Sequence, residues 1–245
     1  MYLLSVLHVS FWCLRVPIPD SSWLELLDRF PPTFSSYPEF SESIQQNANG
    51  PSAEALLSFS DCVIILILPI AFGIIVYIAL LLLKSSAYRN FTEHNLLEFT
   101  WTFLPAFFLV VLAIPSLSLL YLLDEVGIPT FTGKVQGHQW YWHYEFSDFE
   151  MASFDSYLTS GPLRLLNTDA SLTVPPCQTL RLLITGADVL HSWAIPSWGV
   201  KADAVPGRLN IIRTYLERSG VYYGQCSEIC GSNHSFIPIM ASVLI

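Results

Sequence analysis

Two stretches of this chain carry no charged side chain, and they constrain its architecture more than any other feature. Cys62 to Leu83 reads CVIILILPIAFGIIVYIALLLL, 22 residues, and Trp101 to Leu123 adds a second run of 23. At ~1.5 Å per residue, each run as a helix is long enough to cross a hydrocarbon core of roughly 30 Å. Buried helices of soluble proteins rarely sustain such runs. The whole chain agrees, with 52% apolar and only 13% charged residues, against roughly 25% charged in soluble domains. Pro69, Pro105 and Pro115 fall inside the runs. Prolines are tolerated in lipid where neighbouring helices or side chains satisfy the freed backbone groups, so a helix pair packed against protein is expected. The 17 residues from Lys84 to Thr100 are too few for a domain. The spans therefore form a hairpin, with both outer segments on one side of the membrane. Lys84 and Arg89 place the short loop on the matrix or cytoplasmic side.

The domain boundaries follow from these spans. Residues 1–55 form an N-terminal arm on the same side as the C-terminal domain, 56–124 the transmembrane hairpin, and 125–245 a separate domain. Met1 to Leu14 is apolar but too short to span, and it lacks the basic start of a secretory signal. Residues 15–55 are rich in Pro, Ser, Asn and Glu and read as a loop with one short helix at Trp23–Phe30. The net charge is −9. Residues 1–61 hold 2 basic and 7 acidic side chains, and 124–245 hold 7 and 11, while the loop is balanced. Negative surface on both outer parts steers cationic partners and disfavours nucleic acid.

Beyond Asp124 the periodicity changes. Lys134–Phe146, Leu163–Leu166, Ser171–Val174, Thr179–Thr185, Leu209–Tyr215, Val221–Gly224 and Pro238–Ile245 are short segments of alternating or β-branched residues between Gly, Pro and Asn/Asp turns. Such spacing predicts an antiparallel all-β sandwich or barrel. The fold class expected for the chain is thus membrane α plus all-β.

Of the five cysteines, Cys13, Cys62 and Cys177 are scattered, and a lone cysteine is most often a small buried hydrophobe. Cys226 and Cys230 differ through their company. In GQCSEICGSNHSFIPI, His234 follows the second cysteine by four residues, and His191 precedes both within VLHSWAIPSWG. Two thiols and two imidazoles point to a metal site. Three readings are open on these residues: a Cys226–Cys230 disulfide, which leaves the histidines unused; structural zinc, at an unusual spacing; and copper, which thiolate and imidazole suit together.

The chain closely resembles the cytochrome c oxidase subunit II family. The likeness covers about residues 51–245, through EFTWTFLPA, IPSLSLLYLLDE, GHQWYWHYEF, SFDSY, DVLHSWAIPSWGVKADAVPGRLN and YYGQCSEICGSNHSF in order. The resemblance implies a transmembrane hairpin and a cupredoxin-like β-barrel facing the intermembrane space or periplasm. The membrane would be the mitochondrial inner or the bacterial plasma membrane. It also implies a binuclear copper centre, CuA, that accepts electrons one at a time from cytochrome c and passes them to haem in the catalytic subunit. Cys226 and Cys230 would bridge both coppers. His191 and His234 would each bind one, and Glu228 would offer its carbonyl to copper and its carboxylate to a magnesium shared with the catalytic subunit. The electron would enter at Trp140 with Tyr141 beside it. Asp155, Asp169 and Asp188 would dock the lysine-rich face of cytochrome c, though each suits an ordinary solvated turn equally well. Glu98 would lie at the mouth of a proton path, where a carboxylate at a helix start is otherwise a dipole partner. Lys201, Asp203 and Arg208 would face the catalytic subunit, with His138 nearby or simply buried and satisfied.

Ile237 breaks the pattern. The family has methionine there, a weak axial copper ligand, and isoleucine has no donor atom. Copper would then bind with an altered potential, unless an AUA codon is read as methionine and the residue differs from the one written. A different class, a non-redox assembly subunit stapled by a metal or disulfide at the same cysteines, remains the alternative. A soluble nitrous-oxide-reducing enzyme with a similar centre conflicts with the hairpin.

Overall fold

The computed structural model describes residues 46–84, 92–124, 127–146 and 152–244. The helix expected at Trp23–Phe30 lies outside the described residues. The chain divides into two compact units: Leu57–Tyr121 in one, and the residues just before it, through Leu56, together with Leu122 onward in the other.

The first unit is helical. Helix α1 runs Pro51–Leu83 and α2 runs Asn95–Asp124. Proline in the first turn of α1 loses no hydrogen bond, since the first amides of a helix have no partner within it. Pro69, Pro105 and Pro115 sit inside the helices without ending them. The hydroxyls of Thr100, Thr102 and Ser118 donate to the carbonyls four residues earlier, at 2.7, 2.9 and 3.1 Å. Each polar side chain is thereby satisfied inside its own helix, as a lipid setting requires. Mean hydropathy reaches 3.0 and 2.5 in the two helices. Phe72, Leu82, Phe103 and Leu109 are among many large apolar side chains exposed along them, a surface that suits lipid and not water.

Among the described residues the second unit is a β-sandwich of ten strands: β1 Phe131–His138, β2 Tyr141–Phe146, β3 Ala152–Ser156, β4 Leu172–Val174, β5 Gln178–Gly186, β6 His191–Ile195, β7 Val200–Ala204, β8 Asn210–Leu216, β9 Gly220–Gln225 and β10 Pro238–Val243. One sheet has the order β3-β2-β1-β5-β8, a second β4-β10-β9, and β6 pairs with β7. The β1–β5 and β4–β10 pairs are parallel and the rest antiparallel. β1, β2 and, from Thr179 onward, β5 alternate between inward and half-exposed positions. This puts Val135, Trp142, Tyr144, Leu182 and Ile184 against Leu172, Ile239, Ala241 and Val243 of the second sheet. Trp142 and Tyr144 are core residues, as their period of two predicts. The Trp193 indole N–H donates to the buried Tyr144 hydroxyl at 3.3 Å.

Several expectations need correction. The sandwich is mixed, not purely antiparallel, because β1 pairs with β5 and β4 with β10 in parallel. Lys134–Phe146 is not one segment but the β1–β2 hairpin, with Gln139 and Trp140 at its tip. No Asn-Gly or Asp-Gly pair marks that turn. Leu163–Leu166 forms turns, not a strand. β6 escapes a period-two search because all five of its residues are buried, and β3 and β7 are short. Cys177 is exposed, not a buried hydrophobe.

The segment ahead of α1 belongs to the β-unit. Asn49 is fully buried. Its amide N–H donates to the Ser197 carbonyl at 2.7 Å. Its side chain accepts from the Arg218 N–H at 2.7 Å and donates to the Arg218 carbonyl at 3.2 Å. Gly50 follows at φ 139, where a side chain would meet the Tyr215 carbonyl.

Candidate metal centre

Three turns of the sandwich meet: the β1–β2 tip at Gln139–Trp140, the β5–β6 turn at residues 187–190, and the loop of residues 226–237 between β9 and β10. The long loop is closed at its base by the Cys226 N–H donating to the Ile237 carbonyl at 3.1 Å. The Ser227 N–H then donates to the Ser192 carbonyl at 2.9 Å, which draws Cys226 against the start of β6, where His191 stands. A short turn, His234–Phe236, brings the second histidine back over the loop. His191 can lie this deep because β1 offers a glycine: a Cβ on Gly137 would come within 2.8 Å of the imidazole. Trp142 walls the other side of that ring, with centroids 5.9 Å apart.

The four donor side chains form a string. His191 Nδ1 is 4.0 Å from Cys226 Sγ, the two sulfurs are 4.0 Å apart, and Cys230 Sγ is 3.6 Å from His234 Nδ1. Both cysteines are free thiols and buried. At that separation they form no disulfide, whose sulfurs stand ~2.05 Å apart. His191, Cys226 and Cys230 hold ligand atoms all within 4.8 Å of one another; His234 lies outside that group. The Cys226 sulfur also contacts the Glu228 carbonyl at 3.3 Å, and the Glu228 side chain is half-buried.

The electrostatics favour ionising one thiol. Burial alone would raise the Cys226 pKa, but hydrogen bonds with His191, the Ser192 and Glu228 backbone and His234 outweigh it and bring it well below the ordinary thiol value. Burial and the neighbouring Cys226 thiolate push Cys230 the other way. Burial would likewise lower His191, yet Cys226 and the Asp188 carboxylate raise it. A bound cation removes this antagonism, because a coordinating thiol is deprotonated outright.

The remaining sequence candidates fall in varied places. Trp140 is half-buried at the hairpin tip, packed against the core, and its indole nitrogen lies against Gly231, where a Cβ would be 3.1 Å away. Tyr141 stacks between His138 and Tyr157, with centroids 4.6 and 4.5 Å away. The three aspartates are exposed, and each is engaged. Asp155 bonds His143 Nδ1 at 2.6 Å, and Asp169 accepts from the Tyr157 and Ala170 amides at 2.7 and 2.8 Å. Asp188 accepts from the Gln139 amide at 2.7 Å and contacts His191 Nε2 at 2.8 Å. Glu98 accepts from the His94 amide at 3.4 Å in the first turn of α2, which is the dipole-partner arrangement. Lys201, Asp203 and Arg208 are exposed on and after β7. Sequence reasoning assigned no role to Gln139, Gly137 or Gly231, because their contacts form only when the turns meet.

The fold and site together define a membrane-tethered β-sandwich whose β9–β10 loop and β6 start hold a buried thiol–imidazole group. Two family models match the chain: the cytochrome c oxidase subunit II periplasmic domain over residues 131–244, and the subunit II transmembrane domain over residues 38–119. The chain belongs to the cytochrome c oxidase subunit II family. It is accordingly a membrane-bound subunit of an oxidoreductase of respiratory electron transport, with its β-sandwich as the periplasmic-type domain. Among solved structures, the periplasmic domain of cytochrome oxidase subunit II of Bradyrhizobium japonicum is 43% identical, covering 49% of this chain and 87% of its own, with a TM-score of 0.48. A mixed-disulfide intermediate of a thioredoxin-like protein with subunit II of cytochrome c oxidase gives 42%, 49%, 85% and 0.44. A haem-copper terminal oxidase dimer gives 19%, 59%, 98% and 0.39.

Proposed function

We propose that this chain takes single electrons from cytochrome c at a binuclear copper centre and passes them to haem in the catalytic subunit, where oxygen is reduced. The observation that carries this is the order of the donors: imidazole, sulfur, sulfur, imidazole, at 4.0, 4.0 and 3.6 Å. A single tetrahedral ion requires four donors at ~2.0–2.3 Å from one point, whereas His234, which meets the two sulfurs, lies outside the cluster that holds His191. Two ions held between the sulfurs would need a histidine at each end, and the donor order offers His191 at one end and His234 at the other. Thiolate and imidazole donors suit copper. Bound there, a copper pair would supply a one-electron couple that changes geometry little.

The chain's own residues set the conditions for that couple. Asp188 orients the His191 ring, Gly137 and Trp142 exclude water from it, and the Glu228 carbonyl faces the site beside Cys226. Ile237 supplies only hydrocarbon, 2% exposed, where the family has a thioether. Trp140, packed on Gly231 directly after Cys230, is the side chain through which the electron enters, with Tyr141 beside it. The exposed carboxylates of Asp155, Asp169 and Asp188 give the same face a negative charge, which speeds encounter with a lysine-rich partner. Glu98, on α2, keeps its helix-start role. Among the described residues His191, Cys226 and Cys230 are the one group of three or more clustered ligands. The Glu228 carboxylate is not part of it, and magnesium is not supported among the described residues.

Metal analysis and spin resonance of the purified oxidase test this reading. Two coppers per chain with a hyperfine pattern shared between two nuclei are expected. Zinc, a single copper or a Cys226–Cys230 disulfide overturns the reading in favour of a stapled, non-redox subunit.

A further inference from the structure

We infer that Gln139 is a positioning residue, tying the tip that carries Trp140 to both ligand-bearing turns. The tip of a two-residue hairpin ordinarily projects into water, and Gln139 is itself exposed. Yet it is held at both ends. Its backbone N–H donates to Asp188 Oδ2 at 2.7 Å, while the other oxygen of that carboxylate contacts His191 Nε2 at 2.8 Å. Its side-chain amide donates to the Cys230 carbonyl at 2.7 Å. One residue therefore reaches the carboxylate behind one imidazole and the peptide directly after one thiol. Its chain neighbour Trp140 packs on that same peptide, where Gly231, at φ 131, leaves room for the indole.

The chemistry of the Cys230 contact is selective. A carbonyl accepts, so the partner must donate, which glutamine does and glutamate at neutral pH does not. A methionine of similar length fills the space without donating, and an asparagine is one methylene too short. Partners that orient a ligand from outside the coordination shell typically change metal affinity or activity by roughly 10- to 100-fold when removed. Here the tie acts on the Cys230 peptide and on the tryptophan together, so its loss loosens the thiol and misplaces the indole at once.

This inference rests on the proposed copper reading for its second arm but not for its first. In the first arm, full-length metal-free chain in detergent is treated with a thiol-reactive disulfide. The exposed Cys177 serves as an internal standard, because it precedes β5, at the strand end away from the β5–β6 turn. Gln139→Met and Gln139→Asn are expected to raise the rate at Cys226 and Cys230 severalfold over wild type while Cys177 is unchanged. Asparagine suits an exposed turn, so the second variant guards against a folding failure of the first, and equal melting midpoints verify the fold. In the second arm, the assembled oxidase is loaded with copper. Both variants are expected to shift the hyperfine splitting and to lower turnover at saturating cytochrome c by about tenfold with KM little changed. Unchanged thiol rates in both variants overturn the inference whatever the metal does. A wild-type complex without a copper-pair signal overturns the copper reading alone and leaves the first arm standing.

Discussion

The Asp188 carboxylate meets His191 at Nε2, 2.8 Å away, and so leaves Nδ1 as the nitrogen that faces the Cys226 sulfur. A histidine anchored this way presents its other nitrogen, with a free lone pair, to a metal. Asp188 also accepts from the Gln139 and Val189 amides. Burial would raise its pKa, but these three partners keep it below the ordinary carboxylate value. It is therefore ionised in the neutral range, and under the proposed copper reading it would serve both a ligand and a docking surface.

The two roles separate by substitution. Asp188→Asn keeps an oxygen for His191 and removes the charge. It is expected to retain the copper spectrum while slowing association with cytochrome c most strongly at low salt. Asp188→Ala removes the oxygen as well and is expected to weaken copper binding by roughly 10- to 100-fold. Copper titration beside stopped-flow mixing at two ionic strengths checks both. Equal copper affinity in the two variants would reduce Asp188 to a surface charge.

Ile237 provides a second test. Its carbonyl closes the ligand loop by accepting from Cys226, and its side chain is buried, so only the side chain differs from a methionine at this position. Ile237→Met is close to volume-conserving and should change stability by less than about 1.5 kcal/mol. It places a thioether near the site, and an axial sulfur tunes a copper potential. The expected result is a shifted reduction potential and a changed hyperfine pattern with an unchanged melting midpoint. The mass of the peptide spanning residue 237 first establishes whether the natural protein carries isoleucine.

What could be read in the sequence was whatever is local. The two apolar runs announce their helices because lipid forces every residue of a span to obey one rule. The alternation in β1, β2 and β5 is legible for a similar reason: one side faces the core and the other does not. Cys226, Cys230 and His234 lie within nine residues, so their chemistry shows as a motif. β6 hides because burial on all sides erases the period, and the β1–β2 turn hides because it lacks glycine. The ties from Gln139 to Cys230 and to Asp188 span 91 and 49 residues. No local pattern encodes them, since each contact exists only after three separate turns are brought together by the sandwich.

Asn49 illustrates the same limit at the junction of the β-unit with α1. Nothing in QNANGPS marks it as more than a turn residue, yet it is fully buried and bonded to both Ser197 and Arg218. Asn49→Ala removes the partner of the Arg218 amide, while the Arg218 carbonyl keeps the Tyr222 hydroxyl at 2.8 Å, so a loss of about 0.5–1.5 kcal/mol is expected. The variant is expected to lower the melting midpoint of the full chain and to speed amide exchange in residues 197–199 and 218–220. Wild-type exchange in both segments would show that the clamp contributes nothing.

Glu217 supplies the pH test, away from the metal ligands. Burial raises its pKa first, the nearby Glu54 raises it further, and Arg218 only partly opposes them. A carboxyl whose folded pKa is raised binds its proton more tightly in the native state than in the unfolded one. Its contribution to stability is then most favourable below the unfolded pKa, declines as pH rises through the folded pKa, and stays unfavourable at neutral pH. Glu217→Gln removes the ionising group and keeps the shape. The variant is expected to melt higher than wild type at pH 7, with the difference shrinking as the pH falls below the carboxylate range. Melting curves of the full chain in detergent at pH 7, 5.5 and 4 read this directly. A difference independent of pH would mean that packing, not ionisation, sets the contribution of this side chain.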